Sequence, residues 1–352
     1  MITTQKKSSY FPALDGLRGT FALAVLVAHV NIQWIPNGHI LMDTFFSISA
    51  FLITLTLIRS IKQNNNIALI TFTKRRLLRL YPALICCVIP YTIAAYFIVD
   101  NFQFIIKDAI LTLTYLSNFS KLSNYVYPHF FGHTWSLAIE EHFYIIWPSL
   151  LSLLLIRKEI WNHRINILIS IMAISITWRI YLVNSGAEWS RLYYASDTRI
   201  DAFIAGGLLA FLHPYLIKLY TQTKFFKPLI MITSLLMFAA LYYWDPKINT
   251  HFIWHQPVTL LLSCAIIFTV TRNDKNIIQR IFNFKILQWI GVRCYGMYLW
   301  HWPLIWLIIS HTEISKPILL IIILPFTLFM AWFSYKYIEE PILRRRPKMP
   351  NF

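Results

Sequence analysis

Leu14–His29, LDGLRGTFALAVLVAH, opens the first long apolar stretch of the chain, yet carries three groups that a lipid-facing helix excludes: Asp15, Arg18 and His29. At about 100° and ~1.5 Å per residue, the eleven-residue step from Arg18 to His29 returns to within about 20° of the same helix face and covers ~16 Å along it. One stripe therefore holds a cation near one membrane surface and an imidazole deep inside. Ionisable groups at that depth are costly unless they face protein or a water-filled cavity, which makes the stripe a functional candidate. A plain polar contact to a neighbouring helix is the competing reading.

The composition fits a membrane protein. Of 352 residues, 57% are hydrophobic and 13% charged, and the mean hydropathy is +0.54, outside the range of ordinary soluble domains. The polar start MITTQKKSSY runs into the first apolar segment without a small-residue cleavage pattern, so that segment is expected to stay as a span. Cys86, Cys87, Cys264 and Cys294 lie in apolar surroundings, and neither a disulfide framework nor a metal site is expected from them.

Apolar windows predict an all-α, polytopic bundle of ten spans: 13–34, 40–60, 81–99, 136–156, 164–183, 198–217, 227–244, 255–271, 286–310 and 317–340. The net charge of +17 is a topology signal on this arrangement rather than a mark of nucleic-acid binding. With an inside N-terminus, the outer segments hold only Lys107, Lys121, Arg191, Lys247 and Lys316, while Lys6, Lys7, Arg59, Lys62, Lys74, Arg157, Lys158, Lys275, Arg346, Lys348 and most other cations fall inside. Both termini are therefore expected in the cytoplasm.

Polar groups then mark particular spans. Asp43, Ser47, Ala50 and Thr54 form a small, polar stripe on the second span, and the Asp43 carboxylate requires a partner. The loop expected over 59–80 contains Asn64–Asn66 and ends TFTKRRLLRLYP, whose Lys74, Arg75, Arg76 and Arg79 suit either a membrane-surface anchor or a phosphate site. Residues 100–132 are expected to form a surface or re-entrant helix, because Lys107 and Asp108 interrupt the apolar run. FGHTWSLAIEEHFYIIWP crowds His133, Trp135, Glu140, Glu141 and His142 at the outer end of the fourth span, with Ser136, Glu140, Tyr144 and Trp147 on one face.

Farther on, Arg199 and Asp201 reach the outer end of the sixth span, where Gly206 and Gly207 permit close helix approach. Arg199 is the natural partner for the outer carboxylates; Arg179 either serves similarly or snorkels to the interface. The stretch 227–271 reads as scaffold. WIGVRCYGMYLWHWPLIW sets Arg293 toward the cytoplasm and Tyr298 and His301 farther out, and SYKYIEEPILRRRPK brings Lys336 and Glu339 to the inner boundary, Glu339 being expected to pair with an arginine. The polar groups thus divide into an inner layer (Arg18, Arg75, Arg76, Arg79, Arg293, Lys336, Glu339) and an outer layer (His29, Asp43, His133, Glu140, Glu141, Arg199, Asp201, His301). The inner layer suits a phosphorylated donor, and the outer one the activation of a hydroxyl.

Seven stretches, LDGLRGTFALAVLVAH, MDTFFSISAFLIT, KRRLLRLYP, HTWSLAIEEHFYIIWP, TRIDAFIAGG, YGMYLWHWP and SYKYIEEP, resemble in this order acyltransferase family 3, the membrane O-acyltransferases of bacterial surface carbohydrates. The resemblance covers about Pro12 to Pro341 and departs from the family pattern at Ala50, His142 and Gly296, where Gly, Gln and Ser are common. It implies one transmembrane domain over 1–352 in the cytoplasmic (inner) membrane, without the hydrolase-like domain fused to some relatives. It also implies acetyl-coenzyme A as donor and a sugar hydroxyl, carried on a lipid, as acceptor. Lipopolysaccharide O-antigen is the first choice of acceptor, ahead of capsule, peptidoglycan or a lipo-oligosaccharide. Arg18 and His29 match the family's paired Arg and His. On this reading Arg18, Arg75, Arg76 and Arg79 hold the donor phosphates, and His29 acts as base or acyl carrier, oriented by Asp43 or Glu141. His133, Trp135, Glu140, Arg199, Asp201, Tyr298 and His301 face the acceptor. A carrier or flippase of an envelope precursor, or a scaffold without activity, are the rivals; neither paired half-repeats nor another reason for Arg18 and His29 to share a face is evident.

Overall fold

The structure is a computed structural model that describes residues 10–64, 69–99, 102–122, 130–156, 163–243, 251–272 and 276–345. Lys6, Lys7, Asn65, Asn66, Arg157, Lys158, Lys247, Lys275, Arg346 and Lys348 lie outside the described residues, as does the stretch Met1–Ser9. Regular structure among the described residues is helical throughout. The principal helices in chain order are α1 Pro12–Val30, α2 Leu41–Asn64, α3 Leu69–Tyr96, α4 Phe102–Leu113, α5 Trp135–Ile156 and α6 Arg164–Asn184. They continue as α7 Ile200–Gln222, α8 Phe226–Tyr243, α9 Gln256–Thr271, α10 Lys285–Val292, α11 Cys294–His311 and α12 Lys316–Ser334.

Eight helical stretches among the described residues are long and apolar enough to cross a membrane, and the expected segments 136–156 and 286–310 fold as α5 and as the pair α10–α11. The break in that pair departs from the single span expected. At Arg293 the backbone leaves helical geometry (φ −104°, ψ 6°) and its N–H bonds to Ile290 in a tightened turn, so the chain turns before α11 begins. A second departure is the expected loop 59–80. Its basic cluster is helical, because α3 begins at Leu69 and runs through Pro82 and Pro90, carrying Arg75, Arg76 and Arg79 at positions three and four apart on neighbouring turns. The 12 residues of α4 reach about 18 Å, short of a membrane crossing, as a surface or re-entrant helix requires.

Close backbone contact holds the centre together. A Cβ on Gly291 would lie 1.7 Å from the Asp15 carbonyl oxygen, so α10 packs on α1 only with glycine there. A Cβ on Gly206 would lie 2.1 Å from the Ser47 carbonyl oxygen, which fixes α7 against the small-residue stripe of α2. Along that stripe Ser47 donates to the Ala202 carbonyl (2.9 Å), Trp147 donates to Thr54 (2.8 Å) and Ala50 is fully buried. Pro303 lacks an N–H to return to the Leu299 carbonyl, and the Cys87 thiol of α3 donates to that oxygen instead (3.3 Å). All four cysteines are free thiols.

Two ion pairs lock one half of the bundle. Arg199 donates to both oxygens of Asp43 (2.8 and 2.9 Å), and Arg179 donates to Asp201 (2.7 Å) and to the Phe252 and Thr198 carbonyls. All four side chains are at most 1% exposed, so Arg179 does not snorkel. At the opposite end Glu339 accepts from Ser334 (3.2 Å), and it is Glu340 that takes an arginine, Arg344 (2.7 Å). Their four-residue spacing places them on one face, while Glu339 lies within the electrostatic reach of Arg79 and Arg293 without an arginine hydrogen bond among the described residues.

Candidate active site

A cavity of about 340 Å³ opens between α1, α2, α3, α5 and α11. Its wall holds four arginines, Arg18 from α1 and Arg75, Arg76 and Arg79 from α3, against one carboxylate, Glu140 of α5. Glu140 accepts from Ser49 (3.0 Å) and Tyr144 (2.9 Å), and the Arg76 guanidinium lies 3.6 Å over the Tyr144 ring. The Arg76 Nε–H is buried and has no hydrogen-bond partner. An excess of guanidinium groups in a partly dehydrated cleft is built for an anion with several oxygens, since planar guanidinium forks bind phosphate in pairs of hydrogen bonds. The two separate layers expected from the sequence are therefore not preserved: Glu140, assigned to the outer one, faces the same cavity as the inner arginines. One helical turn separates it from Ser136, which also lines the wall.

Ser136 and Tyr298 also line the cavity, and their hydroxyls meet at 2.7 Å. The Tyr298 hydroxyl also donates to the His133 carbonyl, and its ring lies 5.0 Å from His133 and 5.5 Å from His301. Behind this contact sit three imidazoles. Nδ1 of His29 lies 2.7 Å from Nε2 of His301, with the ring centroids 5.0 Å apart and the ring planes within 7° of parallel, a side-by-side arrangement. The His133 ring stands edge-on to His301 at 5.4 Å, and Trp302 stands edge-on to His29 at 4.8 Å. His133 is buried. Its turn is held from α4, where Asp108 accepts from the Phe131 N–H (2.6 Å) and Thr112 bonds to Thr134 (3.1 Å).

This geometry changes several roles read from the sequence. Arg18 lines the cavity and His29 does not, although both lie on α1, so the cavity lining does not include the whole of the single passage expected along their stripe. Asp43 does not orient His29, because both its oxygens are held by Arg199. Glu141 is buried one residue beyond Glu140, about 100° around α5, with one carboxylate oxygen lacking a hydrogen-bond partner. The partner of His29 is His301, 272 residues away in sequence. Arg199 and Asp201 are enclosed in their ion pairs, and Trp135 packs against Phe46, Tyr193 and Tyr194 at 4.8–6.3 Å, so these three are packing residues outside the cavity lining. Arg293 stacks on Trp289 (4.3 Å) and Tyr335 (4.7 Å), and Lys336 lies 5.0 Å over Trp332, both outside the cavity lining. His142 faces Tyr115 and Ser196 rather than the cavity. Ser49, Tyr144 and Cys294, which the sequence reading gave no part in the site, are lining residues. Tyr144 was recoverable from the Ser136–Glu140–Tyr144 spacing on one face, whereas Ser49 and Cys294 carry no such signal.

A helical bundle with eight membrane-length helices among the described residues, an arginine-walled cavity and a histidine pair beside Tyr298 of its wall defines a polytopic membrane protein equipped to bind an anionic ligand near a basic group. The chain belongs to acyltransferase family 3, whose acyltransferase-domain profile matches residues 11–336. It is similar to the peptidoglycan O-acetyltransferase OatA of Listeria monocytogenes, at 32% identity over 97% of this chain and 57% of that protein. It is also similar to O-acetyltransferase OatA of Staphylococcus aureus strain NCTC 8325, at 33% identity over 96% of this chain and 58% of the relative. A putative O-acetyltransferase of S. aureus strain COL is 33% identical over 99% of this chain and 60% of its own length. The chain thus spans somewhat under two thirds of the length of these relatives. No solved structure matches.

Proposed function

We propose that this protein is a membrane O-acetyltransferase that accepts acetyl-coenzyme A from the cytoplasmic side and passes the acetyl group to a hydroxyl of an envelope carbohydrate. The reading rests chiefly on one observation: Tyr298, part of the wall of the four-arginine cavity, lies 5.5 Å from His301, the partner of His29. Arg18, Arg75, Arg76 and Arg79 bind the phosphates of the donor, whose extended arm follows the cavity toward Tyr298. Opening of the Ser136–Tyr298 contact then gives the thioester access to His29. The ring nitrogen of His29 that His301 leaves free takes the proton of the acceptor hydroxyl as that oxygen attacks the thioester carbonyl, and returns the proton to the departing thiolate. His133, whose ring stands edge-on to His301 at 5.4 Å, is the residue assigned to the acceptor.

Peptidoglycan now takes precedence over O-antigen as acceptor, because a relative covering nearly all of this chain carries peptidoglycan in its name. The protein acts in the cytoplasmic membrane, on an acceptor presented at the outer face. The test is transfer of label from acetyl-coenzyme A to peptidoglycan fragments, lipopolysaccharide or capsule by the purified protein in liposomes. Alkali-labile label on a glycan is the expected result. Movement of a lipid-linked sugar across the vesicle with no acyl transfer contradicts it and favours the carrier.

A further inference from the structure

The hydrogen bonds around His301 determine which nitrogen of His29 carries the lone pair. His301 Nδ1 lies 3.1 Å from the Met297 carbonyl, one turn back on α11. A carbonyl oxygen only accepts, so His301 Nδ1 bears the hydrogen, and a neutral imidazole has just one. His301 Nε2 is therefore an acceptor. His29 Nδ1, 2.7 Å away, must then be the donor, which leaves His29 Nε2 unprotonated. We infer that His301 is a positioning residue: by way of the Met297 carbonyl it holds His29 as the Nδ1–H tautomer, with Nε2 presented as the base.

Third members of catalytic triads are usually carboxylates, and here that place is taken by a neutral ring. Among the described residues, His29 has no carboxylate in hydrogen-bonding contact, because Asp43 is held by Arg199. The ring planes are within 7° of parallel, as an in-plane N–H···N bond between two imidazoles requires, and Trp302 stands edge-on to His29 at 4.8 Å. When His29 Nε2 takes a proton, its Nδ1–H bond to His301 becomes charge-assisted, so the same contact that selects the tautomer also stabilises the imidazolium. The catalytic consequence rests on the proposed acetyl transfer; the tautomer does not, and can be read without turnover.

Long-range ¹H–¹⁵N correlation spectra of the ¹⁵N-histidine-labelled protein in micelles test this, with the His29 signals assigned by their loss in His29→Gln. The expected spectrum shows His29 protonated on Nδ1, and an Nε2–H tautomer overturns the inference. In the acetyl-transfer assay, His301→Gln keeps an acceptor oxygen opposite His29 and retains a tenth or more of wild-type kcat. His301→Phe keeps the ring shape without the acceptor and loses at least about 100-fold in kcat with KM for acetyl-coenzyme A unchanged. Equal losses in the two variants overturn the positioning role. The Nδ1–H spectrum in a protein that transfers no acetyl group upholds the tautomer and refutes the proposed reaction instead.

Discussion

Arg199 of the turn before α7 meets Asp43 of α2 through a single guanidinium nitrogen, 2.8 and 2.9 Å from the two carboxylate oxygens, with both side chains out of solvent. Breaking a buried pair on one side leaves an uncompensated charge, which costs about 3–5 kcal/mol. Arg199→Met and Asp43→Asn are each expected to lower the melting temperature in detergent strongly. The double variant Asp43→Leu/Arg199→Met is expected to recover much of the loss, because neither member of the pair is left as an uncompensated buried charge. Additive losses in the double variant count against this account.

Arg76 and Arg79 are expected to act on donor affinity. Each charge-assisted hydrogen bond is worth about 1.5–3 kcal/mol, so Arg76→Ala or Arg79→Ala should weaken coenzyme A binding by about 10- to 100-fold, as read by calorimetry. Lysine restores the charge without the fork and should recover only part of the affinity.

The helix α4 supplies a pH response. Burial pushes the Asp108 carboxyl up to about 6, against the pull of the Phe131 N–H and Lys121, while an unfolded aspartate titrates near ~3.9. Between these values the folded protein holds a proton that the unfolded chain has released. The stability of the neutral form is thus present in full below about pH 4 and lost as pH rises through about 6, by ~3 kcal/mol at most. Melting temperatures across this window should fall with rising pH in the wild type, and that component should vanish in Asp108→Asn.

Gly206→Ala sets a Cβ where the Ser47 carbonyl oxygen lies 2.1 Å away. Overpacking of this kind costs about 1–3 kcal/mol, and backbone on backbone falls at the upper end. A melting temperature equal to wild type would show that α2 and α7 are less tightly seated than described.

The parts of this architecture set by local pattern were legible in the sequence. Apolar windows located the helices, the Asp43–Ser47–Ala50–Thr54 stripe announced a close helix contact, and the buried carboxylate of Asp43 demanded a cation that Arg199 supplies. The pieces that were not legible depend on contacts between distant segments. His29 and His301 are 272 residues apart, and nothing local to either marks the other as its partner. Glu140 read as an outer carboxylate because its depth was counted from the end of its own helix, whereas the cavity reaches it from α3. The arginines of α3 were placed in a loop because their charge masked a helical spacing that continues through Pro82.

Acetyl transfer from labelled acetyl-coenzyme A by His29→Ala, measured alongside coenzyme A binding to the same preparation, tests the central claim most directly. The arginine cavity is untouched in this variant, so binding should match wild type while transfer falls by at least about 100-fold. Transfer at the wild-type rate, with His29 absent, contradicts the account.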